Sequence, residues 1–226
     1  MATSGTYNFA PPIGTLALNA FSRCQVKRTM LTPQHMEDSF LETNLMQADW
    51  TADGITFWTV QLITQALTEG VAVYTVPQNA TTVLDVYVND GTGSGNRLLF
   101  PFSRTDFASL ATPTEPGYPT SFWQDRLLTQ TLTLWPVPDN GNYTLNYYIY
   151  TQPQDAVATQ GGQVAIPYYW YDAWVAGLAY RLSRHYAPAL EATRKADAEF
   201  AYARASKQVE NAPIYITPGL ISYFRP

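Results

Sequence analysis

Thiol and imidazole are nearly missing from this chain: 226 residues hold one cysteine, Cys24, and two histidines, His35 and His185. A lone thiol excludes an intramolecular disulfide. The histidines stand far apart with no H-x-x-x-H or H-E-x-x-H partner, so a zinc site lacks ligands, and no metal is expected. Charge is also scarce, at 14% of residues, and basic groups are the fewer: 13 Lys and Arg against 18 Asp and Glu, a net charge of −5. That balance argues against a protein that holds nucleic acid by neutralising phosphates, and it does not exclude a channel through which DNA slides unbound. No apolar run approaches the ~20 residues of a membrane span, and the first residues lack a basic region followed by an apolar one. A soluble protein made in a cytoplasm is expected, in which the sequons at Asn79 and Asn142 carry no sugar.

What is abundant is apolar and aromatic. The chain is 46% hydrophobic, enough for a core that needs neither disulfides nor metal, in one large domain or two intimate ones. Its 16 Tyr and 6 Trp, combined with little charge, resemble the composition of buried interfaces.

Period and punctuation divide the chain. Residues 1–12 end in Pro11-Pro12 and read as an extended arm. Ile13, Leu16, Ala20, Phe21 and Cys24 recur at helical spacing and predict a helix to about Val26, with Cys24 in the core. Thr32-Pro33 is an N-cap and first-turn proline, opening a second helix with Met36, Phe40, Leu41, Leu45 and Ala48 on its apolar face and Asp53-Gly54 as its stop. From Phe57 the period becomes alternating. Strands are predicted at 57–63, 71–76, 83–89, 97–102, 121–125, 131–135 and 143–150. In the last, Tyr143, Leu145, Tyr147 and Ile149 share one face, and the turn 139–142 is expected to pair it with its predecessor in a small sandwich or partial barrel.

Helical signals return near Pro167. Trp170, Trp174, Leu178 and Leu182 form a stripe that neighbouring apolar residues widen to nearly the whole circumference, as in a helix that is buried or at an interface. Pro188 opens a final helix with Ala189, Ala192, Ala196, Phe200 and Ala203 on one face. The expected fold is α+β: a helical bundle of two N-terminal and two C-terminal helices, an inserted antiparallel β-rich domain, and extended termini. The corresponding segments are 1–56, 57–152, 153–210 and 211–226. Trp170, Trp174, Leu178 and Phe200 are the candidate subunit-interface residues. The last segment has three prolines and a glycine yet carries Ile214, Tyr215, Ile216, Leu220, Ile221, Tyr223 and Phe224, so it is read as a docking arm.

Chemistry is thin. Ser94 lies in Gly91-Thr92-Gly93-Ser94-Gly95, but a strand pattern follows it and no helix or lysine does, so it reads as a hairpin tip. Glu37, Asp38, Glu42, Asp49 and Asp53 cluster on or after the second helix; paired carboxylates can cut glycosidic bonds, but one turn apart they ordinarily make a solvated acidic face. No catalytic residue and no cofactor is assigned. A peptidoglycan hydrolase and a carbohydrate-binding tail module remain the alternatives to a structural subunit.

Several stretches, in order, resemble the adaptor family of tailed phages, also described as head-to-tail connector or packaged-DNA stabilisation proteins. They are residues 33–50, 102–107, 119–123, 132–138, 167–170 with 178–180, and 218–225. The resemblance implies a non-enzymatic virion protein at the head-tail junction. It further implies a dodecameric homo-oligomeric ring beneath the portal protein, helical toward the portal and β-rich toward the next tail component, a nozzle or tail tube. DNA would pass through its channel without specific binding, and the terminal extension, with Ile214, Tyr215, Ile216, Leu220, Ile221, Tyr223 and Phe224, would reach the portal.

Overall fold

A computed structural model describes residues 5–6, 9–54, 57–92, 95–156 and 162–207. The chain divides into two compact units, one of residues 1–46 with 156–226 and one of residues 47–155. The fold is α+β. In chain order the helices are α1 (Ile13–Arg23), α2 (Pro33–Ala52), α3 (Arg104–Ala108), α4 (Tyr171–Tyr186) and α5 (Glu191–Ser206). The strands are β1 (Val60–Ala66), β2 (Val73–Thr75), β3 (Ala80–Asn89), β4 (Asn96–Leu98), β5 (Phe100–Pro101) and β6 (Pro116–Gly117), then β7 (Ser121–Asp125), β8 (Thr131–Trp135), β9 (Val137–Pro138) and β10 (Thr144–Thr151).

The helical unit is built on α4, which buries Ala173, Trp174, Val175, Ala176, Leu178, Ala179 and Leu182 and so has almost no outward face. Helices α1 and α5 both pack on it. Helix α1 stops at Arg23, three residues short of the periodicity, because Gln25 takes a left-handed φ of 62°. That turn lets Val26 N–H reach Phe21 O at 3.0 Å and Gln25 N–H reach Ser22 O at 3.0 Å, satisfying carbonyls the helix would otherwise strand. Cys24 is in the core, donating to the Ala179 carbonyl at 3.2 Å, and burial pushes its thiol pKa up.

Helix α2 starts at Pro33, where the Thr32-Pro33 signal predicts it, and Gly54 follows it at φ 77°. Its orientation departs from expectation. The side turned inward carries Ser39, Thr43 and Met46, while Leu41 and Leu45 are exposed. The hydroxyls can be buried because each is satisfied within the helix, Ser39 donating to Met36 O and Thr43 to Ser39 O, both at 2.7 Å.

The second unit is a sandwich of two four-stranded sheets, ordered β1-β10-β3-β4 and β2-β8-β7-β5. Val86, Val88, Leu145, Tyr147 and Ile149 of one sheet share a core with Tyr74, Phe122, Leu132 and Leu134 of the other. Strand β10 alternates as its sequence dictates, with Leu145, Tyr147 and Ile149 inside and Tyr148 outside. Its partners are β1 and β3, however, and not its predecessor β8. The chain leaves the second sheet at Pro136, which has no N–H for a ladder, and β9 pairs instead with β6. The pairing is mostly antiparallel, with short parallel contacts of β5 with β7 and β6 with β9. The segment expected as a strand at 97–102 splits into β4 and β5. Helix α3, which periodicity does not reveal, follows from a capping box. Ser103 Oγ accepts from Asp106 N–H at 3.1 Å, and the Asp106 carboxylate accepts from the Ser103 hydroxyl at 2.6 Å and from Ser103 N–H at 3.2 Å; the hydroxyl bond first, and then the backbone one, hold the Asp106 carboxyl below its usual pKa.

Candidate functional site

Both histidines converge on one residue of α4. The His35 ring stacks on Tyr186, with centroids 4.5 Å apart and planes 22° from parallel, and Phe21 meets the other two rings edge-on at 5.7 and 5.8 Å. Thr32 holds His35 in place through contacts to Nδ1 at 2.6 Å from its hydroxyl and 3.3 Å from its backbone nitrogen. Tyr186 donates its phenol proton to Asp38. Desolvation first, and then this bond and the Asp38 charge, raise the Tyr186 pKa to about 12. One turn further along α2, Glu42 bridges two residues of α4: Arg181 at 3.3 Å and His185 Nε2 at 3.5 Å. Asp38, Leu41, Glu42, His185 and Tyr186 line a cleft of about 380 Å³.

Asp38 and Glu42, the two carboxylates one turn apart, are therefore not a solvated acidic face. Each is engaged by α4, and the Glu42 side chain is only 16% exposed. One oxygen of Asp38 and both oxygens of Glu42 tie α2 to α4. The signal in the sequence is charge matching: an acid pair at i, i+4 on one helix and Arg181 with His185, also i, i+4, on another. Among the described residues no three His, Cys, Asp or Glu side chains gather into a metal site, and no helix is long and apolar enough to cross a membrane.

The candidate interface residues separate into two groups. Trp170, Trp174 and Leu178 are at 0% exposure inside the subunit, where Trp170 meets Tyr202 of α5 edge-on at 5.7 Å. They form the packing surface between α4 and its neighbours and leave nothing on the outside of the unit. Phe200 is the opposite, 66% exposed, because α5 packs through Ala201 and Ala205 on its other side. Ile214, Tyr215, Ile216, Leu220, Ile221, Tyr223 and Phe224 lie outside the described residues, as do Gly93 and Ser94 of the hairpin tip.

Other apolar groups also face outward. Leu41 and Leu45 do so on α2. On the outer face of the first sheet, Leu62 is paired with Tyr148, and Tyr87, whose ring lies 6.4 Å from that of Tyr148, is paired with Leu98. These side chains come from all four strands, with Tyr87 paired to Asn146 and Tyr148 lying opposite the bulge between Val83 and Val86.

No curated protein matches the chain. The sequence model of the family described as SU10 adaptor protein matches residues 28–217, from the turn before α2 through both units and past the end of α5. A match over most of the chain, to a protein whose carboxylates serve its packing and whose apolar side chains face outward, has one reading: the chain belongs to the SU10 adaptor protein family, a family of phage head-to-tail adaptors.

Proposed function

We propose that copies of this chain close into a dodecameric ring at the head-tail junction, lining a channel through which the genome passes. Membership of the family implies association with portal and tail proteins as a component of the virion. The finer reading is that the ring sits beneath the portal, and that the β-rich unit meets a nozzle or tail-tube protein. DNA contacts the wall without specific binding, as the net charge of −5 favours. The extended segment 211–226 is the portal arm, through Ile214, Tyr215, Ile216, Leu220, Ile221, Tyr223 and Phe224. Its prolines oppose a helix, and its apolar side chains gain by leaving water.

The observation that carries the reading is the outward display of large apolar side chains on both units, Leu41, Leu45 and Phe200 on one and Leu62 and Leu98 on the other. Such surfaces on a low-charge chain are interfaces awaiting partners. Native mass measurement tests it. The protein with portal, or alone, should give a closed oligomer of a single stoichiometry. A chain that stays monomeric in the presence of portal would overturn the ring.

A further inference from the structure

The helical unit turns two different helix surfaces outward, and they differ in both shape and charge. On α2, Glu37, Leu41 and Leu45 follow at i, i+4 and i+8, with Leu41 60% and Leu45 47% exposed. Branched side chains one turn apart make a row of protrusions. The helix carries acids and no lysine or arginine, and with Asp38 and Glu42 occupied by α4, Glu37 is the exposed acid that opens the leucine row, which the exposed Asp49 continues four residues beyond Leu45. On α5, Ala192, Ala196, Phe200 and Ala203 share the side opposite the buried Ala201 and Ala205. Three alanines around one ring leave hollows. The cation-bearing end of this stripe holds Arg204, whose guanidinium lies 5.8 Å from the centre of the Phe200 ring, and the exposed Lys207. Neither has an acidic partner among the described residues, whereas Lys195 and Arg194 on the same helix are matched by Glu199 and Asp197.

We propose that these two surfaces are the halves of one contact: the Glu37-Leu41-Leu45 row of one copy seats on the Ala192-to-Lys207 stripe of the next. The occupant is a second copy of this chain because each surface supplies what the other lacks. Leucines protrude where alanines recede, and an unmatched acid flanks one row while unmatched cations flank the other. Within a ring the contact is heterologous, each copy using its α2 toward one neighbour and its α5 toward the other, whereas a two-fold pair would exchange both faces with a single partner. Heterologous contacts close into rings when the rotation permits. This pairing rests on the ring reading and deepens it by saying which faces meet.

Cysteine cross-linking of the protein assembled with portal tests it, with buried Cys24 left in place and the unsubstituted chain as the control. A chain carrying both Leu41→Cys and Ala196→Cys should oxidise to a ladder of covalent multimers. A mixture of the two single variants should stop at dimers, and each single variant alone should give none. Dimers from Leu41→Cys alone would overturn the proposal, since they mean that two α2 faces meet. Absence of links in a sample whose mass is that of an oligomer would overturn this pairing and leave the ring standing. Absence of links with a monomeric mass would overturn both. A charge exchange supplies a second reading: Glu37→Lys should lose assembly, and adding Arg204→Glu with Lys207→Glu should restore it. A triple variant as defective as Glu37→Lys would sink the charge matching.

Discussion

Replacing Tyr186 with phenylalanine removes one oxygen from the joint between α2 and α4 while leaving the ring where His35 and Phe21 pack on it. The lost bond is a phenol donating to the Asp38 carboxylate. Bonds to a charged group contribute about 1.5 to 3 kcal/mol, and water can reach the partly exposed Asp38, so a cost of about 1 to 2 kcal/mol is expected. The raised pKa of Tyr186, which reflects burial first and then this bond, sets the pH range over which the contribution fades. Its folded value, raised to about 12, exceeds the ordinary tyrosine value of 10.0. The folded state therefore holds the proton more tightly, and the linked stability is complete below about pH 10 and lost as pH rises through about 12. A shift of about two units would be worth about 2.7 kcal/mol unscreened, and about 1 to 2 once solvent screening of a partly exposed group is allowed for. Urea unfolding of wild type and Tyr186→Phe from pH 7 to 11.5 measures both. Other tyrosines, among them Tyr74 and Tyr147, also have raised pKa values, so wild type and variant will both weaken in alkali. The readout is the difference between them, which should shrink toward zero above pH 10. A gap of constant size across that range would refute the assignment of the bond to Tyr186 and Asp38. An Asp38→Asn arm completes a double-mutant cycle, whose coupling should match the gap at neutral pH.

Three further outcomes follow from the packing. Tyr147 is 1% exposed and its hydroxyl has no partner among the described residues, so Tyr147→Phe should leave stability unchanged or raise it by about 1 kcal/mol; a loss above that in chemical denaturation would reveal a missed partner. Gly91 has φ 73°, and a Cβ there would stand 2.8 Å from the Asn142 carbonyl oxygen, so Gly91→Ala should cost about 1 to 3 kcal/mol, and an unchanged midpoint would contradict that geometry. Deleting residues 213–226 should yield a folded protein with wild-type melting behaviour that no longer sediments with portal; retained portal affinity would refute the arm.

The change of period near Phe57, from helical to alternating, was enough to mark this chain as α+β, because amphipathic spacing is a local property that burial of one face imposes on any element. The same local logic located the ends of β7 and β8, the start of α2 at Pro33, and the all-round burial of α4. It had no purchase where the deciding partner was distant in sequence. Counting apolar residues put Leu41 and Leu45 inside, whereas Ser39 and Thr43 went inward because each hydroxyl finds its acceptor in its own helix and so loses little on leaving water. Strand β10 was legible as a strand, but its neighbours β1 and β3 were set by the exit of the chain at Pro136 and by the sandwich that β10 helps to close. The joint of His35, Asp38 and Glu42 with Arg181, His185 and Tyr186 joins residues nearly 150 positions apart, Tyr186 and Asp38 being separated by 148. No short-range pattern encodes such a pair. Only the packing of α2 on α4 brings His35 onto Tyr186, and only that packing turns Asp38 and Glu42 into ties between the helices.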